Sequence, residues 1–414
     1  MTKIETSHNV LIIEPSTSGL EYLSNAKKLG LNVYVFSAEI DERIIPDQYR
    51  QYIDCLIKID TNDLEAMSRR IKELLKKTSL DAVIPGFEIF ASNAAKLACI
   101  AKVPSVSKST ADALCNKLLA RQIMKNNNFK LPHFVEVSTF EDIVAKAKYF
   151  EFPAVLKPTT QSGSIHVSKV NNIDELKKAY LSMKNETWTE MGKGVGSQAI
   201  VESYVAGPEY SVEGVVSNDK VLILAVTEKI LSAEPYFVEM GHIVPAAIDS
   251  YTKHLIEQYT QEVVHALGIH YGAFHCEIRF TEGGPVLIEI GARPAGDNIC
   301  DLIELTTGIN YYQQALRAYL NKPNIMYPPK HQYYAGICFF SNNREGGYLR
   351  AIKNVSHIES LPGFLKLKQI YPINTYIPPL TAFNGRAAYA IFKTTTYKKL
   401  KSVIYQAKNI ISLE

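Results

Sequence analysis

Glu277 and Glu289 lie in the stretch HCEIRFTEGGPVLIEIGARPAG, residues 275–296, on either side of the turn-forming cluster Thr281-Glu282-Gly283-Gly284. A hairpin that pairs Phe280 with Val286 sets the two glutamates directly opposite each other. Like charges facing across a sheet repel. A divalent cation between them removes that cost, and two carboxylates with open positions for phosphate oxygens are what magnesium commonly takes. Arg293 follows closely, and its planar fork suits a carboxylate or a transferring phosphoryl group. Taken alone, the segment also fits an exposed hairpin with ordinary charges.

Two upstream segments add polar groups of the same kind. In PAVLKPTTQSGSIHVSKV, residues 153–170, an apolar run ends at Lys157 and a hydroxyl-rich stretch follows with Ser162, Gly163 and Ser164. Gly163 lets backbone N–H groups approach an anion, and the serines add donors. The Walker spacing GxxxxGK[ST] is absent here, so the loop by itself is a weak signal. In AIVESYVAGPEYSVEGVV, residues 199–216, a strand, a short bend and a second strand are bracketed by Glu202 and Glu209. Such a bend can offer backbone groups to a purine edge, and a carboxylate accepts from an amino group or a ribose hydroxyl. A polar sheet face is the plainer alternative.

Two further places look suited to a substrate. Glu88, in PGFE, follows an apolar run at the position where open α/β sheets bind ligands. The segment EPYFVEMGHIVPA, residues 234–246, joins two sheet regions and carries Glu239 and His242. A histidine with a reference pKa of about 6.5 can orient an amine or take its proton, or can be structural.

The elements that must position these groups fall into blocks. Apolar runs at Val10–Ile13, Val33–Phe36 and Ala82–Pro85 alternate with helical spacing at Leu20–Leu29, Leu64–Leu75 and Ile89–Ile100. This predicts an open parallel α/β sheet over residues 1–110. The turn EPSTSG lacks GxGxxG, which excludes the dinucleotide fingerprint. A helix is expected over Ala111–Asn126 and another over Thr139–Phe150. Residues 111–330 read as α+β with long antiparallel strands, including a small subdomain over about residues 135–205. Residues 331–414 read as a mixed tail that completes the catalytic region, with a closing helix near Lys398–Lys408.

The chain's 414 residues allow more than one domain, and 46% hydrophobic with 21% charged residues is ordinary for a globular protein. A net charge of +3 gives no reason to expect nucleic acid or a membrane surface as partner. The six cysteines are scattered without CxxC, as expected of core thiols in a reducing compartment. The apolar stretch before Pro15 is too short for a signal peptide, and no run approaches the roughly 20 residues of a membrane span. The sequence is therefore read as cytoplasmic.

The order of these motifs resembles the ATP-grasp superfamily along essentially the whole chain, and EIGARPAGDNI is similar to its L-amino-acid ligase branch, the dipeptide synthetases. The resemblance implies an ATP-grasp fold: an N-terminal open α/β domain, central nucleotide-binding domains and a small C-terminal part. It implies ATP and Mg2+, with Mn2+ as a substitute, and small-molecule carboxylate and amine substrates. It is compatible with a homodimer. Carried over residue by residue, Lys117 and Lys157 are the ATP lysines and Ser162, Gly163 and Ser164 the loop over the phosphates. Glu202 and the backbone of Val205 form the adenine hinge, and Glu209 binds ribose. Glu277 and Glu289 hold the metal, and Arg293 steadies the acyl-phosphate. Glu88, Glu239, His242, Arg293 and Gly296 line the substrate side, with Arg293, His242 and Lys157 as the catalytic set. Many relatives carry Asn two residues after the second metal glutamate, where this chain has Gly291, which suggests a looser second metal site. His166 also replaces a small or basic residue.

The implied reaction joins a carboxylic acid to an amine through an acyl-phosphate. Two alternatives stand beside it: activation of a carboxylate for another acceptor, such as a carrier-protein thiol or a biosynthetic amine, and a nucleotide-binding sensor without turnover.

Overall fold

The computed structural model describes residues 8–414 apart from 108, 188, 326 and 342–344. Residues 1–7, part of the N-terminal segment read above as too short for a signal peptide, lie outside the described residues. The N-terminal sheet is parallel, in the order β3-β2-β1-β4, from β1 (Asn9–Ile13), β2 (Asn32–Ser37), β3 (Cys55–Lys58) and β4 (Ala82–Pro85). The continuous apolar run of β1 is explained by burial on both faces. Val10 and Ile12 pack with Tyr22, Leu23 and Leu316, whereas Leu11 and Ile13 pack with Met67, Ile71 and Leu97. The strand β3 escaped the sequence reading because it is an edge strand with one buried residue, Ile57.

A second sheet, in the order β5-β10-β6-β7, is antiparallel and comprises β5 (Phe134–Val137), β6 (Ala154–Pro158), β7 (Ser168–Val170) and β10 (Ala199–Ser203). Its core includes Leu156, Val201, Tyr180 and Met183. Between β7 and β10 a small hairpin pairs β8 (Thr189–Glu190) with β9 (Lys193–Gly194). The expected helix over Ala111–Asn126 is broken. Ala111–Cys115 is a 3-10 turn, Asn116 is extended, and a regular helix begins at Lys117. Asn116 caps that helix by accepting from the amides of Leu118 and Leu119.

The largest sheet among the described residues has eight strands in the order β15-β14-β11-β12-β13-β16-β21-β19. These are β11 (Glu209–Ser217), β12 (Lys220–Leu231), β13 (Glu239–Val244), β14 (Tyr271–Thr281), β15 (Gly284–Gly291), β16 (Tyr334–Ser341), β19 (Phe364–Gln369) and β21 (Arg386–Thr394). Short pairs, β17 (Gly347–Tyr348) with β20 (Tyr376–Ile377) and β18 (Ile352–Lys353) with β22 (Ser412–Leu413), brace the tail. The tail thus extends the same sheet that carries Glu277 and Glu289. Residues 234–246 are only partly a connection, because their second half is β13, an interior strand between β12 and β16. No helix among the described residues is long and apolar enough to cross a membrane.

Candidate active site

A cavity of about 590 Å³ lies where the three sheets meet, lined by groups from each of them, including Glu88, Lys157, Glu202, Glu277 and Glu289. The β14–β15 hairpin sets Glu277 opposite Glu289, by a route slightly different from the one expected. Phe280 pairs with Pro285, not Val286, because the turn is tighter. An irregularity after Glu277 then leaves Ile288 as an extra residue and restores the glutamate pair. The Ile288 carbonyl accepts from Arg121 at 2.9 Å, which fixes the bulge.

The two glutamates have different surroundings. Glu277 accepts from His275 at 3.0 Å and lies 2.9 Å from the Lys229 ammonium. Burial alone would raise its pKa, but Lys229 and His275 outweigh that and hold it at about 2. Glu289 lies 2.9 Å from Lys117. Burial raises its pKa; Lys117 opposes the rise, while the carboxylates of Glu88 and Glu277 add to it. Two facing carboxylates, one of them strained by its acidic neighbours, are a donor set that fits a hard divalent cation.

The two lysines expected to meet phosphate occupy different settings. Lys117 donates to the Gln161 carbonyl at 2.5 Å and reaches Glu289. Lys157 is ion-paired with Glu202, which also accepts from Arg121 Nε at 2.5 Å. Burial lowers the Lys157 pKa. For Glu202 burial acts upward, but Arg121 and Lys157 hold the carboxylate at about 2.

The Gly/Ser loop lies over the cavity. Ser162 bonds to Glu190 of the small hairpin, and Ser164 Oγ donates to the Phe237 carbonyl at 3.0 Å. Gly163 has φ +61°, the left-handed region that suits glycine. His166 points away, its Nε2 3.0 Å from Glu186, just past the helix Ile173–Lys184. At the bend, the Val205 carbonyl accepts from Arg279 Nη1 at 2.7 Å, and Glu209 accepts from Arg279 Nε at 2.9 Å. The Arg279 guanidinium also lies 5.1 and 5.0 Å from the rings of Tyr204 and Phe237.

On the opposite side, Glu88 crosses from the N-terminal domain to Arg293, whose Nε donates to it at 2.5 Å. Burial opposes ionisation of Glu88, yet Arg293 and Lys117 keep its pKa below the usual value. Gly296 lies on the same wall. Glu239 is 2.7 Å from Lys229. Of the two readings of His242, its burial favours the structural one. The side chain is fully buried and stands behind Glu239 and Asp297, 3.5 and 3.2 Å from them, so it does not face a substrate amine. Burial would lower its pKa, but these two carboxylates raise it, which favours an imidazolium rather than a free base.

Several groups in the cavity were missed by the sequence reading. Lys229 is enclosed by Glu209, Glu239 and Glu277 at 2.7–2.9 Å. It falls in an apolar run, VLILAVTEKIL, with no motif around it. Arg279, two residues after Glu277, could have been found by strand alternation, which places it on the same face. Glu190, Asp297 and Arg386 had no local signal.

Residues 150–301 match the ATP-grasp domain family. An uncharacterized protein, y4rH, of Sinorhizobium fredii is 26% identical over 303 residues, covering 73% of this chain and 61% of that protein. The L-arginine-specific L-amino acid ligase of Bacillus subtilis is 22% identical over 315 residues, 75% of each chain. Dapdiamide A synthase of Enterobacter agglomerans is 24% identical over 243 residues, 56% of this chain and 54% of that one. The chain thus spans about three-fifths of the first of these relatives and about half of the third. The crystal structure of L-amino acid ligase from Bacillus licheniformis superimposes over 99% of both chains, with a TM-score of 0.82 and 22% identity. The chain therefore has the ATP-grasp fold.

Proposed function

We propose that the protein is an ATP- and magnesium-dependent ligase that joins a carboxylic acid to an amine through an acyl-phosphate, with an amino acid among its substrates. The observation that carries this reading is the Glu277–Glu289 pair facing one cavity together with Lys117, Lys157 and Arg293. Relatives named as amino acid ligases support it.

In this reading the base of ATP lies against the bend at Glu202–Val205, its ribose against Glu209, and its phosphates beneath Ser162–Ser164. A divalent cation held by Glu277 and Glu289 would offset charge on the phosphates, a role that Mn2+ can share with Mg2+. Lys117 and Lys157 supply fixed positive charge around the same oxygens. A substrate carboxylate oxygen attacks the γ-phosphorus, the bond to the β-phosphate oxygen breaks, and ADP leaves. Arg293, held in place by Glu88, orients the acyl-phosphate. The amine then attacks the acyl carbon, inorganic phosphate departs and the amine loses a proton. Glu239 faces the cavity as an acceptor for a substrate amine, with His242 behind it as support. The loop excludes water, which would otherwise hydrolyse the intermediate.

The test combines ADP release with mass-spectrometric detection of product across pairs of amino acids, in the wild type and Glu289→Ala. Amide formation is expected only with ATP and a divalent cation, and Glu289→Ala is expected to lose it while keeping its thermal midpoint. Full activity of Glu289→Ala would overturn the metal assignment.

A further inference from the structure

The tail turn that leads into β21 touches both the Gly/Ser loop and the substrate wall. At the loop, the Phe383 ring lies directly against Gly163: a Cβ at residue 163 would come within 2.5 Å of Phe383 Cδ1. The Phe383 amide donates to the Gly163 carbonyl at 3.4 Å. The preceding residue, Ala382, is buried in the core of the small antiparallel sheet, among Ile165 and Val195. Three consecutive observations therefore fasten this turn to the loop-bearing domain.

Arg386 fastens it to the other side. Its Nη1 and Nη2 donate to the two Asp297 oxygens at 2.5 and 2.9 Å, and Nη1 also donates to the Glu239 carbonyl at 3.1 Å. Its guanidinium is 3.9 Å from the centre of the Phe339 ring. Its Nε donates to the Phe383 carbonyl at 3.1 Å, so the residue that grips Asp297 also holds the residue that touches Gly163. Arg386 and Asp297 both line the cavity. A two-pronged guanidinium–carboxylate pair defines direction as well as distance.

We propose that Phe383 and Arg386 are positioning residues: Phe383 holds the Gly/Ser loop down over the cavity, and Arg386 ties that hold to Asp297 on the substrate wall. One backbone hydrogen bond and one ring face are a weak hold, as a loop that opens every turnover requires. With Asp297 displaced, the Arg386 fork turns, the Phe383 carbonyl loses its donor and the loop is released. The substrate wall thereby controls how well water is excluded. The consequence for catalysis rests on the ligase reading above, whereas the mechanical link does not.

Hydrogen exchange of the full chain, followed peptide by peptide without nucleotide, separates the two. Phe383→Ala is expected to speed exchange of residues 161–167 about tenfold, the signature of local opening, and Phe383→Leu to restore most of the protection. Arg386→Lys keeps the charge but loses the fork, and is expected to speed exchange in the same peptide with the thermal midpoint preserved. Where amide product is found, Phe383→Ala is expected to raise the ADP released per amide formed. Unchanged exchange at 161–167 in Phe383→Ala would overturn the hold. Unchanged exchange there in Arg386→Lys would overturn the tie to Asp297. A failure to form amide with any acid counts against the ligase reading and leaves the exchange result to decide the link.

Discussion

The Lys229 ammonium lies 2.9 Å from the Glu277 carboxylate, in a position where it also touches Glu209 and Glu239. Its side chain is 2% exposed. Burial would lower its pKa, but the three carboxylates raise it well above the ordinary value. One cation therefore joins Glu209, Glu277 and Glu239, the groups proposed to meet ribose, metal and amine. Removing one partner of a buried ion pair is far more damaging than removing both. Lys229→Met leaves three acids facing each other and is expected to cost about 3–5 kcal/mol of stability in EDTA. Added Mg2+ is expected to return part of it. Thermal melts with and without the ion check both statements, and an unshifted midpoint in EDTA would refute them.

Glu202 sets an acid limit. It lies between Arg121 and Lys157, and its carboxyl is held at about 2 against an ordinary value of 4.5. A lowered carboxylate stabilises the fold above its unfolded value and ceases to do so as pH falls through the folded one. The contribution is thus complete above pH 4.5 and lost towards pH 2. Its size is on the order of 3 kcal/mol. In Glu202→Gln this part of the acid sensitivity is expected to vanish. At neutral pH the variant should be less stable, since Arg121 and Lys157 lose their shared acceptor. Denaturant midpoints measured from pH 7 down to pH 2 distinguish the two slopes.

Arg279 braces the end of the cavity proposed for the nucleotide. It donates to Glu209 and to the Val205 carbonyl, and its plane lies near Tyr204 and Phe237. Lysine retains the charge but cannot make both bonds with that geometry. Arg279→Lys is expected to weaken ADP binding about tenfold, the scale of one charge-assisted hydrogen bond, with a smaller effect on kcat than on KM for ATP. Calorimetric titration with ADP measures the first, and steady-state rates the second. Equal losses in both kinetic constants would count against a positioning role.

How far the sequence could be read follows from where each interaction lies along the chain. The Glu277–Glu289 pair belongs to one hairpin, so a turn cluster and strand alternation were enough to oppose the two residues. The twice-buried β1 announced itself as an unbroken apolar run. By contrast, Glu88 meets Arg293 across 205 positions, and Asp297 meets Arg386 across 89. No local period encodes such partners, since only the assembled domains bring them together. Lys229 was hidden for a related reason. Its charge is neutralised by residues from three other strands, so its own segment reads as plain β-sheet. The sequence left His242 open between a chemical and a structural role, because its own segment does not show that it lies in an interior strand.

Gly291 gives the sharpest test of how this site differs from its resemblance. The expectation was that replacing asparagine by glycine loosens a metal site. The structure gives the glycine a second consequence. A Cβ at position 291 would lie 3.3 Å from Arg293 Cγ and 3.5 Å from Glu88 Oε1. A Cβ here is therefore tight against Arg293 and in contact with Glu88, whose ion pair bridges the N-terminal domain to the cavity. Gly291→Asn must move Arg293 Cγ by a few tenths of an ångström, which disturbs the bond between Arg293 and Glu88. The loss of Arg293 orientation outweighs any gain from one extra amide ligand. The variant is accordingly expected to lose at least about tenfold in kcat/KM for the acid substrate, as displaced orienting groups do, even with Mg2+ in excess. Glu88→Ala in the same background relieves the crowding and is expected to restore tighter Mn2+ binding without restoring turnover. Electron paramagnetic resonance of bound Mn2+ reads the first effect and ADP release the second. A Gly291→Asn single variant that binds the ion more tightly and turns over faster than the wild type would mean that the pair yields, and that Glu88 does not set the geometry of Arg293.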